Sequence, residues 1–361
     1  MKKILLITSC SKNSNGAGTL FLKNVFAGYD YEWVDTNDIV NIKSYFLMRF
    51  FSKKLEFFEK NAKIINEYFL KLDLNNYDRV VVTLSDLNLI FFASKIPEFK
   101  KVRFIIWDDY RYIAVNHKLA KTDRSYLDKA FKKILNNAKC VSVMGHNMAN
   151  EYKLDENKYT ILRSPINSDL MKEKNVGQRG SLNFVFCGSL YAKSEWNNFI
   201  RVLQKYNFNI NGVYINVHYI GNYPKMNVIS KKNIVYHSFK TGKELEKIMQ
   251  LMDVGYLPYW LDEKHEIASK TSFPSKLSVY LENGLIVFNH SPKESEVSNI
   301  NNIYSIGVSC NSLNENEIYN CLEKIVVMST TRSQHFANVK NFINKELSDS
   351  IMLENLDKLL R

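Results

Sequence analysis

The sequence predicts an α/β protein made of two parallel sheets, each covered by helices. Three observations carry that expectation. Short apolar runs rich in Val, Ile and Phe alternate with longer amphipathic segments in both halves of the chain. The alternation breaks once, over a polar, turn-rich stretch from residue 165 to 180, and then restarts. The chain has 361 residues, 45% hydrophobic and 24% charged, which exceeds one ordinary domain and suits two.

Each element follows from its residues. In the first half, 3–8 (K-I-L-L-I-T) reads as a buried strand and 31–34 as a weaker one. Residues 44–72 are a long helical region, 79–84 a β-branched strand, and a short helix follows Asp86. Strands at 102–107 and 140–144 flank a helix at 124–137. After the break, strands are expected at 183–187, 214–220, 234–237, 254–257 and 285–288, with helices at 194–206, 243–252, 276–283 and 315–328. The tail from Ser333 to Leu360 reads as helical. The expected division is an N-terminal domain over 1–165, a linker over 166–182, a C-terminal domain over 183–332, and tail helices over 333–361 that pack back on the first domain. Two such sheets would put a ligand cleft between them, at the carboxyl ends of the strands.

Composition excludes several classes. Tyr 21 and Phe 22 against Gly 13 and Pro 6 argue against disorder. No stretch approaches the ~18 apolar residues of a spanning helix. The opening M-K-K-I-L-L-I-T-S-C imitates a lipoprotein signal, but its apolar core is too short, and a first β-strand is the better reading. Cys10, Cys140, Cys187, Cys310 and Cys321 are scattered without C-x-x-C and read as reduced thiols of a cytoplasmic protein, with no zinc site. The net charge of +12 calls for an anionic partner. The lysines are spread and no nucleic-acid-binding signature is present, which leaves nucleotide diphosphates and anionic lipid. Residues 43–60 mix Phe46, Phe50, Phe57 and Phe58 with Lys and Arg. As a helix this stretch suits either the inner face of an anionic membrane, a core helix with snorkelling cations, or a contact in a homo-oligomer.

The sharpest chemical signal lies between residues 253 and 292: D-V-G-Y-L-P-Y-W, a polar loop, then S-F-P-S-K-L-S-V-Y-L-E-N-G-L-I-V-F-N-H-S-P. Ser272, Phe273, Pro274, Ser275 and Lys276 precede or open a helix that stops at Gly284. Free backbone N–H groups, hydroxyls and an ammonium gathered at a helix start suit a phosphate. The alternative is an ordinary Ser cap beside a solvated Lys.

This run resembles the donor-binding segment of nucleotide-sugar glycosyltransferases of the GT-B fold, in the surface-polysaccharide group. The resemblance extends over residues 184–290. F-V-F-C-G-S-L-Y-A-K at 184–193 resembles the family's first strand and glycine turn, which implies Gly188, Ser189 and Lys193 near the donor phosphates. H-S-F-K at 237–240 falls where the family holds the nucleotide base, which implies Ser238 and Phe239. L-E-K-I-M-Q-L-M-D-V-G-Y-L-P fits the family's helix and strand before the grip. The fold implied is two Rossmann-like domains. Two positions depart: retaining members of the largest such family carry Glu where this chain has Thr271 and Val279. Glu282 lies one turn beyond.

The first half offers fewer candidates. Gly16, Ala17, Gly18 and Thr19 follow the first strand and read either as a loop approaching phosphate or acceptor, or as a plain surface loop. W-D-D-Y-R-Y at 107–112 ends an apolar strand; the family often has His-Asp here, and Trp107 stands for that His. Asp108 could take an acceptor hydroxyl proton, or cap a helix. Asp109 and Arg111 come second, and His146 is the best histidine; His117 and His290 read as structural. No D-x-D occurs, so no metal-bridged donor and no cofactor are expected.

The resemblance implies a cytoplasmic, metal-independent glycosyltransferase of hexosyl type. It would use a nucleotide sugar, with a UDP-sugar favoured, on a hydroxyl of a surface glycan or lipid-linked oligosaccharide. The rival readings are a non-catalytic GT-B partner or glycan-binding subunit, and a nucleotide-sugar 2-epimerase.

Overall fold

The computed structural model describes residues 3–40, 54–97, 99–171, 173, 180–222 and 233–361. The chain forms two compact units, Met1–Pro165 with Ser350–Arg361, and Ile166–Asp349.

The first unit holds strands β1 (Lys3–Thr8), β2 (Asp30–Asp35), β3 (Arg79–Thr83), β4 (Val102–Ile105), β5 (Val141–Val143) and β6 (Tyr159–Ile161). They pair in the order β2-β1-β3-β4-β5-β6, all parallel. Ile4, Leu5, Leu6 and Ile7 of β1 are all buried, as a strand covered on both faces requires. The helix Lys54–Phe69 buries Phe58, Ala62, Ile65 and Phe69, a stripe at helical spacing. Phe58 is 0% exposed and its ring meets His117 at 5.2 Å. That corrects the interfacial reading at Phe58: the spacing to Ala62 and Ile65 turns it inward. Phe46 and Phe50 lie outside the described residues. No helix among the described residues is long and apolar enough to cross a membrane.

The last helix, Asp349–Leu360, closes this unit. Arg103 Nε donates to the Leu359 carbonyl at 2.7 Å and Arg79 Nε to the Leu360 carbonyl at 2.6 Å. Two guanidinium groups thus satisfy the last carbonyls of the helix, where cations are favoured. A recess of about 940 Å³, lined in part by Arg79, Lys101 and Arg103, opens beside this clamp. It lies at the amino ends of β3 and β4, the side of a parallel sheet that does not carry the ligand crevice.

The second unit holds β7 (Ser181–Cys187), β8 (Asn209–Ile210), β9 (Val213–Ile220), β10 (Ile234–His237), β11 (Val254–Pro258), β12 (Ile286–His290) and β13 (Gly307–Cys310). The parallel order is β10-β9-β7-β11-β12-β13, with β8 antiparallel to β9. Chain order therefore reverses between β7 and β11, where the crevice of a doubly wound sheet opens. Ile166 and Met171 are buried in this unit's core, and the Ile166 N–H donates to the Leu347 carbonyl at 2.7 Å. β7 opens at Ser181, inside the stretch read as linker. The tail divides: the helix Arg332–Phe342 stays here, where Arg332 donates to buried Asp253 at 2.9 Å.

The helix Glu315–Thr330 shows how local chemistry fixes one boundary. Asn314 Oδ1 accepts from the N–H groups of Asn316 and Glu317 at 2.9 and 3.3 Å. Asn314→Ala should lower stability by about 1 kcal/mol, while Asn314→Asp, which keeps an accepting oxygen, should stay close to wild type. Urea unfolding followed by tryptophan fluorescence measures both.

Candidate functional site

The site is built on the helix Ser275–Glu282. Pro274 stands at its N-cap with φ −76° and ψ 131°, and no side chain caps it. Its first N–H groups are therefore available to an outside acceptor. At its other end Gly284 takes φ +61°, a conformation that favours glycine, and stops the helix before β12.

One buried side chain fixes this helix on the sheet. Tyr280 Oη donates to the Tyr256 carbonyl at 3.1 Å and accepts from the Cys187 N–H at 3.2 Å. Its ring lies so close over Gly255 that a Cβ there would sit 2.3 Å from Cδ2. The helix is thereby pinned to β7 and β11, the two strands of the reversal. One turn earlier, Lys276 is carried over the end of β7.

There Gly188 adopts φ +100°, and a Cβ on it would stand 3.2 Å from Lys276 Cε. The Gly188 N–H donates to the Ile220 carbonyl at 2.8 Å. The Lys276 ammonium sits 4.7 Å from the Tyr191 ring centroid and 5.4 Å from that of Phe186. Burial among these groups lowers its pKa to about 8, with the Cys187 thiol acting in the opposite direction. Among the described residues no carboxylate pairs with it. A half-buried ammonium, a bare glycine turn and an uncapped helix start therefore converge at one point.

The other candidates of this unit spread around that point. Ser275 is exposed, and Ser272 and Phe273 are half-buried. Ser189 and Lys193 are exposed, Lys193 as the first residue of the helix Lys193–Lys205. Ser238 is exposed and Phe239 is 63% exposed, just past β10. His237, at the end of β10, meets His218 nitrogen to nitrogen at 3.1 Å.

In the first unit the structure places Asp108, the first choice, and Asp109 and Arg111, the second choices, in different settings. β4 ends at Ile105, so Asp108 stands in the connection to the helix Tyr110–Asn116. Asp108 is exposed by area, yet the protein packed around it raises its pKa, and the Asp109 charge adds to the effect. Asp109 is 1% exposed: it caps that helix through the Arg111 N–H at 2.8 Å and holds the Arg111 guanidinium at 2.7 Å. Asp109 and Arg111 are thus bound to each other. His146 is exposed at the start of the helix His146–Glu151. His290 is fully buried between Tyr256 Oη at 2.9 Å and the Ser312 carbonyl at 2.7 Å.

The glycine loop opens a helix. Gly16 is the N-cap of the helix Ala17–Val25, so Gly18 and Thr19 lie in its first turn. A Cβ on Gly18 would meet Cys10 Sγ at 2.9 Å and the Trp107 ring at 3.0 Å. The small residue makes room for an indole. Thr19 is buried, and its hydroxyl donates to the Ser11 carbonyl at 3.0 Å.

Comparison with solved structures sets these observations in a known architecture. Sucrose-phosphate synthase from Thermosynechococcus elongatus is similar with a TM-score of 0.66 and 10% identity, over 99% of this chain and 98% of that one. HepE from Anabaena, in complex with UDP and glucose, is similar with a TM-score of 0.64 and 10% identity, over 99% of both chains. A glycosyltransferase from Rickettsia africae gives a TM-score of 0.63 and 12% identity, over 99% of this chain and 97% of that one. The chain has the GT-B fold. No protein-family model and no curated protein matches it in sequence.

Within the GT-B fold, both positions where the resembled family places Glu are closed. Thr271 is fully buried and its hydroxyl donates to the Ile267 carbonyl at 2.8 Å. Val279 packs against the core. The sequence alone does not single out Tyr191, Trp260 and His265, whose rings are in contact beside Lys276. The available signal was the Tyr-Trp pair directly after Pro258, at the end of a strand that leads to the grip.

Proposed function

We propose that the protein is a glycosyltransferase that binds a nucleotide sugar through the diphosphate grip at Lys276. One observation carries the reading: Lys276 reaches the turn at Gly188 with a half-buried ammonium that no carboxylate pairs among the described residues, beside an uncapped helix start, at the point where strand order reverses. UDP is the favoured nucleotide, and the similarity to HepE, whose structure holds UDP and glucose, supports it. The role given to Asp108 is acceptance of the proton from the acceptor hydroxyl. The acceptor of this reading is a hydroxyl of a surface glycan or lipid-linked oligosaccharide, supported by the charge of +12. Catalysis is proposed to be metal-independent and cytoplasmic, on the inner membrane face.

Incubation with a panel of UDP-, GDP-, CDP- and CMP-sugars tests the reading. The expected products are free nucleotide and a glycosylated acceptor, with turnover unaffected by a chelator. Nucleotide binding without turnover would favour the non-catalytic subunit, which the closed Thr271 and Val279 positions also suit. Release of an epimer would favour the epimerase. Binding of none of these nucleotides would sink the grip itself.

A further inference from the structure

A stack of aromatic rings leads away from the grip. The Lys276 ammonium lies over the Tyr191 ring at 4.7 Å. Tyr191 meets the Trp260 ring at 4.6 Å, and Trp260 stacks on the His265 imidazole at 4.4 Å with 15° between planes. Tyr191, Trp260 and His265 are each half-buried, so every ring keeps some surface to solvent. They come from two segments, the turn after β7 and the loop after β11, and these flank the strand reversal.

The loop is held in place before any ligand arrives. The Tyr259 N–H donates to the His290 carbonyl at 2.8 Å. Ser269 Oγ donates to the Trp260 carbonyl at 2.8 Å. Glu195, 1% exposed, accepts the Leu261 N–H at 2.9 Å. Asp262 takes His265 Nδ1 at 2.8 Å, which leaves Nε2 as the ring nitrogen able to meet a ligand. Four anchors on a short aromatic loop are a pre-organised surface rather than a slack connection.

We propose that Tyr191, Trp260 and His265 form the wall that receives the sugar ring of the donor, and that this wall takes over sugar recognition from the carboxylate missing at position 271. The inference rests on the donor reading above. In a nucleoside diphosphate sugar the ring is bonded directly to the second phosphate. A phosphate held by Lys276 therefore places the sugar at the near end of the wall. A pyranose offers C–H groups, which suit the ring surface that Tyr191 and Trp260 leave open at the side of the stack, and hydroxyls, one of which His265 Nε2 would bind. Glu195 is a positioning residue: it fixes the loop through Leu261 and makes no contact with the sugar.

Calorimetry with UDP, UDP-glucose, UDP-galactose and UDP-N-acetylglucosamine tests this on the full chain. The wild type is expected to bind one UDP-sugar more tightly than UDP. Trp260→Ala should weaken that sugar nucleotide about tenfold and change UDP by less than about twofold. Trp260→Phe should recover most of the loss, and His265→Ala should weaken only the sugar nucleotide, which keeps the test open if Trp260→Ala fails to fold. Equal losses for UDP and its sugar, or no loss for either, would overturn the wall while leaving the grip intact. A wild type that binds no UDP compound would overturn grip and wall together.

Discussion

Lys276→Ala is expected to weaken UDP binding by roughly 1.5–3 kcal/mol, or about 10- to 150-fold, with the fold unchanged. The lysine is at the right scale for this because, among the described residues, no carboxylate pairs with its ammonium. Charge-assisted bonds to a diphosphate would be new rather than exchanged. Calorimetry at pH 7 reads the loss directly, and unchanged affinity for UDP and every other nucleotide that binds wild type would remove Lys276 from the site.

The same residue gives the binding a pH dependence. Its pKa is lowered from 10.5 to about 8 by burial. A bound diphosphate favours the charged form and raises that value. UDP binding should therefore take up a proton once the pH exceeds about 8, and affinity should fall from pH 7 to 9.5. Stability follows the opposite course. Burial disfavours the ammonium, so the cost is fully present below about pH 8 and fades as pH rises toward 10.5. Lys276→Met should abolish both trends; calorimetry in buffers of different ionisation enthalpy separates proton uptake from binding.

Much of the fold was legible because both sheets are parallel and buried on two faces. K-I-L-L-I-T and R-V-V-V-T announce themselves as strands for that reason. Three residues at β6 and the small, polar G-V-S-C of β13 carry no such pattern, nor does the Asn-rich helix Glu296–Tyr304. The parts of the proposed grip were legible because they are contiguous: Pro274, Ser275 and Lys276 lie on one helix start. The ring contact behind the proposed wall was not, because Tyr191 and Trp260 meet only when β7 and β11 pair. In the first unit, Asp108 and Asp109 are alike in sequence. Only the fold shows that Asp109 is spent on a helix cap and on Arg111. Likewise only the fold shows Trp107 packed against Gly18.

That separation makes Asp108→Asn the decisive variant for chemistry. It should cut turnover by about a hundredfold or more, leaving folding and UDP affinity unchanged. Asp109→Asn should behave differently, with lost stability as its main effect, since a buried cap and ion pair are weakened. The pH profile adds a second readout. The pKa of Asp108 is raised by the protein packed around it and by Asp109, and a base works only when ionised. The acid limb of kcat should therefore lie above the ordinary aspartate value of about 3.9, with activity rising through it as pH increases. Asp108→Asn should remove that limb along with the rate. A variant with wild-type turnover and an unchanged limb would take Asp108 out of the mechanism, and His146, exposed at the head of its helix, would be the next residue to replace.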